Sequence, residues 1–512
     1  MAASKKHAPR AGFTAAANIR LPGSHMASIT RPTIPLGKAS WSRRAVLAAG
    51  LGVGVSALGI PSTVRSAGAR TSGISGPLPD SQTKGVLVWD VEGVGYAAEE
   101  YFLSGRADVY RAVSMADSMD VASRDNAKDL GKRDFSRELL KPNQPFTTRL
   151  IVYRPRSKER FSGNVIVETL HPSGGGTGVA WGALQPFFTA NGDAYVGVQH
   201  PLTMAGITSA DPDRYGPLAA ADPTQLWGML AQAGAALKAG GAGGPLGGYA
   251  VQHLLLTGYS YTGVATATFA NYHHREAKLA DGRNVFDAYL PMADAQYVRP
   301  LDVPVMRLNT QSDYNGFGGL NNRRPDDPRY RHYEVAGASH VAVPPPSNAA
   351  RAPVAANLPA APGQPHFSPK ECQASFPAGS HPNDYPLYIV QAAMFQNMYR
   401  WLAGHLPPNS MLIETNSDGS TLLDEWGNAK GGVRLPQVAL PVATYGVGST
   451  QACALFGYTA PFDAAKCRAL YGDREKYAAR VSDIADQLVA ARLILPDGAE
   501  RLRAIARADT GF

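Results

Sequence analysis

Gly258-Tyr259-Ser260 closes a short apolar run, Leu254-Leu255-Leu256-Thr257, and residues of helical character follow at once. A serine hydroxyl becomes a nucleophile when a sharp strand-to-helix turn holds it exposed beside a base. Such a turn strains the backbone at the serine and demands a very small residue two places earlier, which Gly258 supplies. Two places later stands Thr262 instead of the usual glycine, and Gly263 arrives one position late. Partners for the serine lie downstream: Asp313 follows the apolar run 303–309, and His340 ends Val335-Ala336-Gly337-Ala338-Ser339-His340. An imidazole can take the serine proton, while a carboxylate fixes its tautomer and stabilises its charged form. A developing oxyanion needs two N–H donors. Tyr261, next after the serine, is one candidate. The loop His171-Pro172-Ser173-Gly174-Gly175-Gly176 is the other, with His171, Gly174 and Gly175 expected to line the site.

Each of these residues also has a plainer role open to it. Asp313 suits the cap of the turn Asp313-Tyr314-Asn315-Gly316, and Asp294 and Asp302 compete with it as acids, though neither follows a strand as directly. His340, beside Gly337 and Ser339, fits any exposed loop tip. The glycine loop lacks the Gly-Lys-Ser/Thr ending of a phosphate cradle. His273-His274 does not make a metal pair, because adjacent helical side chains point about 100° apart. No metal or organic cofactor is expected.

Positioning these groups requires strands that end at one rim. From residue 163 onward the pattern alternates strand and helix, the signal for a parallel sheet covered on both faces. Strands are expected over 164–170, 194–199, 253–257, 286–291, 303–309 and 331–335. Helices are expected near 180–190, after Asp222-Pro223 with Leu226, Leu230, Ala233 and Leu237 on one face, from Ser260 to about His274, and over 387–402. Residues 84–160 read as antiparallel strands (85–89, 100–103 and 148–153), with 116–142 a charged loop carrying short helices. Beyond residue 408 a hairpin precedes charged helices at 463–509, whose Tyr477, Val481, Ile484 and Leu488 stripe reads as core. The fold class is therefore α/β: a doubly wound, mostly parallel sheet with an antiparallel N-terminal portion and a helical C-terminal extension. The expected divisions are a leader over 1–69, a core over 77–407 and an extension over 408–512. Segments 343–367, rich in Pro and Ala, and 110–145 are the candidates for rim or lid.

The leader itself has a recognisable grammar. Ser42-Arg43-Arg44 precedes an apolar, glycine-rich stretch over 45–60 and then Ala67-Gly68-Ala69, the pattern of a twin-arginine export signal with its cleavage site. Met26 is an alternative start. The apolar stretch is too short to span a bilayer comfortably, so no stable membrane insertion is expected after cleavage, and the mature protein is expected to be periplasmic or secreted. Residues 1–69 hold nine Lys and Arg and no Asp or Glu, so the formal charge of +8 becomes −1 once they are removed. No basic footprint for nucleic acid remains. An oxidising compartment would permit one disulfide among Cys372, Cys453 and Cys467, with the pairing open and buried unpaired cysteines the alternative.

Taken together the chain resembles the bacterial, often exported, alpha/beta hydrolase domain family. The resemblance runs from about Gly85 to the C-terminus. It is carried by Glu100-Tyr101-Phe102-Leu103-Ser104-Gly105, Val165-Ile166-Val167-Glu168 with its glycine loop, Asp211-Pro212-Asp213-Arg214-Tyr215-Gly216, Gly258-Tyr259-Ser260, Val335 to His340, and Leu455-Phe456-Gly457-Tyr458-Thr459-Ala460-Pro461-Phe462. The order Ser, Asp, His is that of an α/β-hydrolase triad. Two departures stand out: relatives usually carry Gln-Ser where this chain has Tyr261-Thr262, and Trp-Leu-Asn where it has Thr169-Leu170-His171. What the resemblance implies is a serine hydrolase using Ser260, His340 and Asp313, with no substrate specified; a small-molecule carboxylic ester is expected by analogy with the wider α/β-hydrolase superfamily. An acyltransferase or lyase using the same triad, and an inactive ligand-binding protein on the same fold, are the alternatives.

Overall fold

The computed structural model describes residues 73–79, 91–111, 137–172, 177–241, 243–316, 322–341, 372–448, 453, 455–509 and 511–512. The leader, the strand expected over 85–89, Gly174 and Gly175 of the glycine loop, and the stretch 343–367 lie outside them. Three N-terminal strands, β1 (Gly73–Ser75), β2 (Tyr96–Tyr110) and β3 (Leu139–Pro155), pair antiparallel. Residues 139–142, expected in a loop, instead belong to β3, where Leu139 pairs with Tyr110 and Lys141 with Val109. β2 extends far enough to offer them a partner edge, although the register shifts at Val109 and Tyr110.

From there the sheet turns parallel. The strands β4 (Asn164–Thr169), β5 (Ala194–Val198), the short β6 (Ala219–Ala220), β7 (His253–Tyr259), β8 (Ala288–Met292), β9 (Val305–Thr310) and β10 (Tyr330–Val335) complete a ten-stranded sheet. Its spatial order is β1-β2-β3-β5-β4-β7-β8-β9-β10, with β6 on β3, and every contact from β5 to β10 is parallel. Parallel strands covered on both faces read as near-continuous apolar runs, which is how the centres of β4 and β7 stand in the sequence. Alternate residues serve opposite faces. On β7, Leu255 joins one core with Ile166 and Leu290, while Leu254 and Leu256 join the other with Val165 and Val167.

Helices α1 (Val179–Asn191), α2 (Pro201–Ala210), α3 (Leu226–Ala239) and α4 (Tyr261–Tyr272) follow the strands in turn. The first face is covered by α1 and by α6 (Leu387–Leu402), while α5 is the short helix Gln311–Gly316. The same core takes in Tyr477, Val481 and Leu488 of the C-terminal helices, so their stripe is packing. The opposite face is covered by α3 and α4. The chain from Thr63 to Phe512 forms one compact unit. Among the described residues no helix is long and apolar enough to cross a membrane. The helix α2 was not anticipated; His200 caps it, its Nδ1 accepting from Leu202 N–H at 3.1 Å, with Pro201 in the first turn. A second small sheet, β11 (His381–Pro382), β13 (Gly457–Pro461) and β12 (Ala443–Val447) in that spatial order, contains the expected hairpin.

Two motifs of the N-terminal half are structural. Glu100 on β2 is fully buried and receives Arg149 of β3, Arg214 and the Tyr215 hydroxyl, the last at 2.8 Å. Burial works against its charge, but the two guanidinium groups outweigh that and hold its carboxyl below the ordinary range. Further on, Cys372 and Cys453 form a disulfide across 81 residues, while Cys467 is buried as a thiol. A loop of that size raises unfolded-chain entropy when opened, so Cys372→Ala is expected to cost about 4 kcal/mol in denaturant unfolding. An unchanged unfolding midpoint would rule out a stabilising role for the bridge.

Candidate active site

The sheet reverses its winding between β4 and β7. From β4 the chain moves out to β5, returns past β4 to β7, and then steps the other way through β8, β9 and β10. The carboxyl ends of β4 and β7 therefore form a topological switch point, the place where a crevice opens and ligands bind in doubly wound sheets. His171 leaves β4 there, and Ser260 leaves β7.

Ser260 sits at φ 58° and ψ −126°, a backbone conformation that costs a side-chain-bearing residue of order 1–3 kcal/mol. Its surroundings enforce it. A Cβ on Gly258 would fall 2.1 Å from the Thr262 carbonyl oxygen, and one on Gly263 would fall 2.2 Å from the Met292 carbonyl oxygen. The first glycine lets the turn close, and the second lets α4 lie against the end of β8. That is why the glycine one place late suffices. Thr262 occupies the position where glycine is usual and contributes a clasp: its hydroxyl accepts from Tyr259 N–H at 3.0 Å and donates to the Tyr259 carbonyl at 2.9 Å. Ser260 N–H donates to the Met292 carbonyl at 3.0 Å.

Asp313 and His340 are brought to the same rim by β9 and β10. Asp313 lies in the first turn of α5, fully buried, and its Oδ2 accepts from Thr310 N–H at 2.7 Å and Thr310 Oγ1 at 2.8 Å. Its other oxygen is thereby left for the histidine. Two bonds staple the acid loop to the histidine loop: Gly337 N–H donates to Gln311 Oε1 at 2.8 Å, and Gln311 N–H donates to the Ala338 carbonyl at 3.1 Å. Asn383 Nδ2 donates to the Gly337 carbonyl at 2.8 Å, and Val341 N–H donates to the Leu455 carbonyl at 2.9 Å, so C-terminal residues also brace the histidine. The outcome is a continuous chain. His340 Nδ1 stands 2.6 Å from Asp313 Oδ1, and His340 Nε2 stands 2.6 Å from Ser260 Oγ.

Tyr261 is the first residue of α4, where backbone N–H groups have no intrahelical acceptor and face the crevice end of the helix. Its phenol packs near His171, with ring centroids 6.4 Å apart, and near His200 at 5.5 Å. Burial, with the neighbouring His340, pushes the His171 imidazole down to about 4. Burial, with His171, pushes His200 down to about 3. Both are neutral near pH 7 and present hydrogen-bonding but uncharged walls. His171 N–H donates to the Thr177 carbonyl at 2.9 Å, closing the base of the glycine loop, whose Gly174 and Gly175 are outside the described residues.

The competing acids are committed elsewhere. Asp294 pairs with Arg307 at 2.7 Å with both side chains fully buried, and Asp302 pairs with His274. His273 and His274 face different partners, Arg137 for the former and Tyr289 and Asp302 for the latter. No group of His, Cys, Asp and Glu among the described residues is arranged to hold a metal ion. Thr310, Gln311 and His200 carry no role in the sequence pattern, and Tyr259 and Thr262 stand in the motif without their hydrogen bonds being evident from it. Thr310 was detectable, since a Thr three before an Asp is a common local hydrogen-bonding pattern; the reach of Tyr259 to a loop 81 residues away has no local signal.

No curated protein matches the chain. Among solved structures, one similar to it is a dienelactone hydrolase, so named provisionally, from Klebsiella pneumoniae, at 15% identity over 32% of this chain and 68% of that one, with a TM-score of 0.20. A rice cell wall degrading esterase from Xanthomonas oryzae is similar at 12% identity over 44% of this chain and 49% of that one, TM-score 0.20. A hyperthermophilic esterase from Pyrobaculum calidifontis is similar at 12% identity over 37% and 70%, TM-score 0.22. The chain thus spans about half the length of the rice cell wall esterase, and overlaps this low carry no argument about substrate. The family model is another matter. The model described as "Alpha/beta hydrolase domain" matches residues 67–504, nearly the whole span described above, and the chain belongs to that family.

Proposed function

We propose that the protein hydrolyses carboxylic esters of small molecules through Ser260, His340 and Asp313. The observation carrying this reading is the unbroken relay of 2.6 Å contacts from Ser260 Oγ through His340 to Asp313 at the switch-point crevice. In the first half-reaction Ser260 Oγ attacks the ester carbonyl while His340 Nε2 takes its proton. Asp313 holds the imidazole with its Nδ1–H toward the carboxylate and stabilises the positive ring. Negative charge on the carbonyl oxygen falls on Tyr261 N–H and on donors of the loop after His171. His340 returns the proton to the departing alcohol, leaving an acyl-Ser260 ester. Water, deprotonated by the same imidazole, then releases the acid and restores the serine. Ester in preference to amide rests on the family alone.

The leader supports export by the twin-arginine route to the periplasm or beyond, and the Cys372–Cys453 bridge suits an oxidising compartment. A fluorophosphonate probe tests the chemistry directly. It is expected to modify one serine, Ser260, as read by peptide mass mapping, and the label is expected to vanish in His340→Ala. Labelling elsewhere, or labelling independent of His340, would overturn the assignment; an unlabelled protein that still binds esters would favour a ligand-binding role.

A further inference from the structure

Tyr259 stands immediately before Ser260, with only 5% of its surface exposed; its ring packs in the sheet core and its hydroxyl reaches the histidine loop. The hydroxyl donates to the backbone carbonyl of His340 at 2.5 Å, and the phenol ring lies 5.4 Å from the imidazole, centroid to centroid. At its base the residue cannot swing, because Thr262 Oγ1 binds both its N–H and its carbonyl, and Thr262 is itself fully buried. One rigid side chain thus spans from the turn that carries Ser260 Oγ to the peptide that carries the imidazole.

The geometry points to Tyr259 as a positioning residue that sets the Ser260–His340 distance, with Thr262 as its anchor. The inference rests on the hydrolase reading above and deepens it. The other bonds bracing the histidine loop hold Gly337, Ala338 and Val341, the last through the N–H of the same peptide whose carbonyl is that of His340; the phenol grips that carbonyl from the Ser260 turn. Without it that peptide keeps its Val341 N–H anchor but loses its tie to the Ser260 turn, so it can swing about the anchor, moving Nε2 away from Oγ while leaving the surrounding walls, and so substrate binding, intact. Burial, reinforced by the Asp313 carboxylate, keeps the phenol protonated far into the alkaline range, so the donor persists wherever His340 is active. The usual glycine two places after the nucleophile has no hydroxyl and cannot form this clasp. Thr262 is therefore more than a tolerated departure.

Tyr259→Phe in the full chain removes one oxygen atom and no packing volume. Misplacing reacting groups by about an ångström costs about a hundredfold, so kcat on p-nitrophenyl acetate is expected to fall about 10- to 100-fold with KM held within about twofold. The rate of fluorophosphonate labelling at Ser260 is expected to fall by the same factor. A purely structural tyrosine would lower the unfolding temperature and leave kcat alone. Thr262→Val is expected to reproduce the kcat loss, and Thr262→Ser to restore it. If Tyr259→Phe keeps its kcat, or loses kcat/KM through KM only, the strut is wrong while the triad stands. If Tyr259→Phe fails to fold, equal kcat values for the Val and Ser variants at position 262 overturn it instead. A wild-type protein left unlabelled at Ser260 removes both readings together.

Discussion

Ser260→Ala is expected to lower kcat on p-nitrophenyl esters by about a million-fold, and His340→Ala by a similar factor, because nucleophile and base act as one unit. The double variant is expected to lose no more than either single one. Asp313→Asn is expected to cost about ten-thousandfold, through the wrong histidine tautomer. The local bonds show why. Oδ2 of Asp313 accepts from both Thr310 N–H and Thr310 Oγ1. In an asparagine the amide oxygen is the group that can satisfy those two donors, which turns the amide nitrogen toward His340 Nδ1. The imidazole must then accept at Nδ1 and carry its proton on Nε2, facing Ser260 Oγ, where it cannot serve as a base. All three variants are expected to unfold within a few degrees of wild type. Steady-state rates within tenfold of wild type for Ser260→Ala, in protein free of contaminating esterase, would remove the serine from the mechanism.

How much of this was legible beforehand follows from what each residue needs. β7 was readable because a strand buried on both faces leaves a continuous apolar run, whereas β9 and β10 mix apolar residues with Arg307, Asn309, Arg331, His332 and Glu334; Ser260, Asp313 and His340 each follow the end of one of these strands. Helix 387–402 was readable residue for residue, since a long amphipathic segment has a period of its own. Residues 139–142 were misread because their stability comes from a partner strand distant in sequence, which local charge does not reveal. The disulfide partners were open for the same reason: three cysteines allow three pairings, and only the fold brings Cys372 and Cys453 to a Cα separation of 5.5 Å. Tyr259 and Thr262 lay inside the motif in plain view. Their bonds depend on the direction of a hydroxyl, which a motif does not encode.

The second large effect is expected at a buried charge pair beside the site. Arg307→Met is expected to destabilise the protein by about 3–5 kcal/mol, the usual consequence of stranding one member of a buried pair. Asp294 and Arg307 are both inaccessible to solvent and 2.7 Å apart. Burial opposes the guanidinium charge, but Asp294 outweighs it and holds Arg307 protonated. Removing the cation leaves the Asp294 carboxyl, already raised by burial, with no counter-charge to lower it. Its folded pKa then lies further above the unfolded value, so the folded state binds a proton that the unfolded state lacks. Stability from that proton is present at acid pH and is lost as pH rises through the unfolded and then the folded pKa. The deficit of Arg307→Met is accordingly expected to be larger at pH 8 than at pH 5 in urea unfolding, and Asp294→Leu added to it is expected to recover at least half. A variant as stable as wild type at pH 8, or a deficit equal at both pH values, would refute the account. The pair also stands beside the Ser260 turn. Asp294 lies within the segment from Met292 to Ala295, where Ala293 and Ala295 are each at φ 51°, Arg307 ties that segment to β9, and the Met292 carbonyl is what receives Ser260 N–H. An acid that competes with Asp313 on paper therefore serves the same serine by holding the strand end against which its turn is docked.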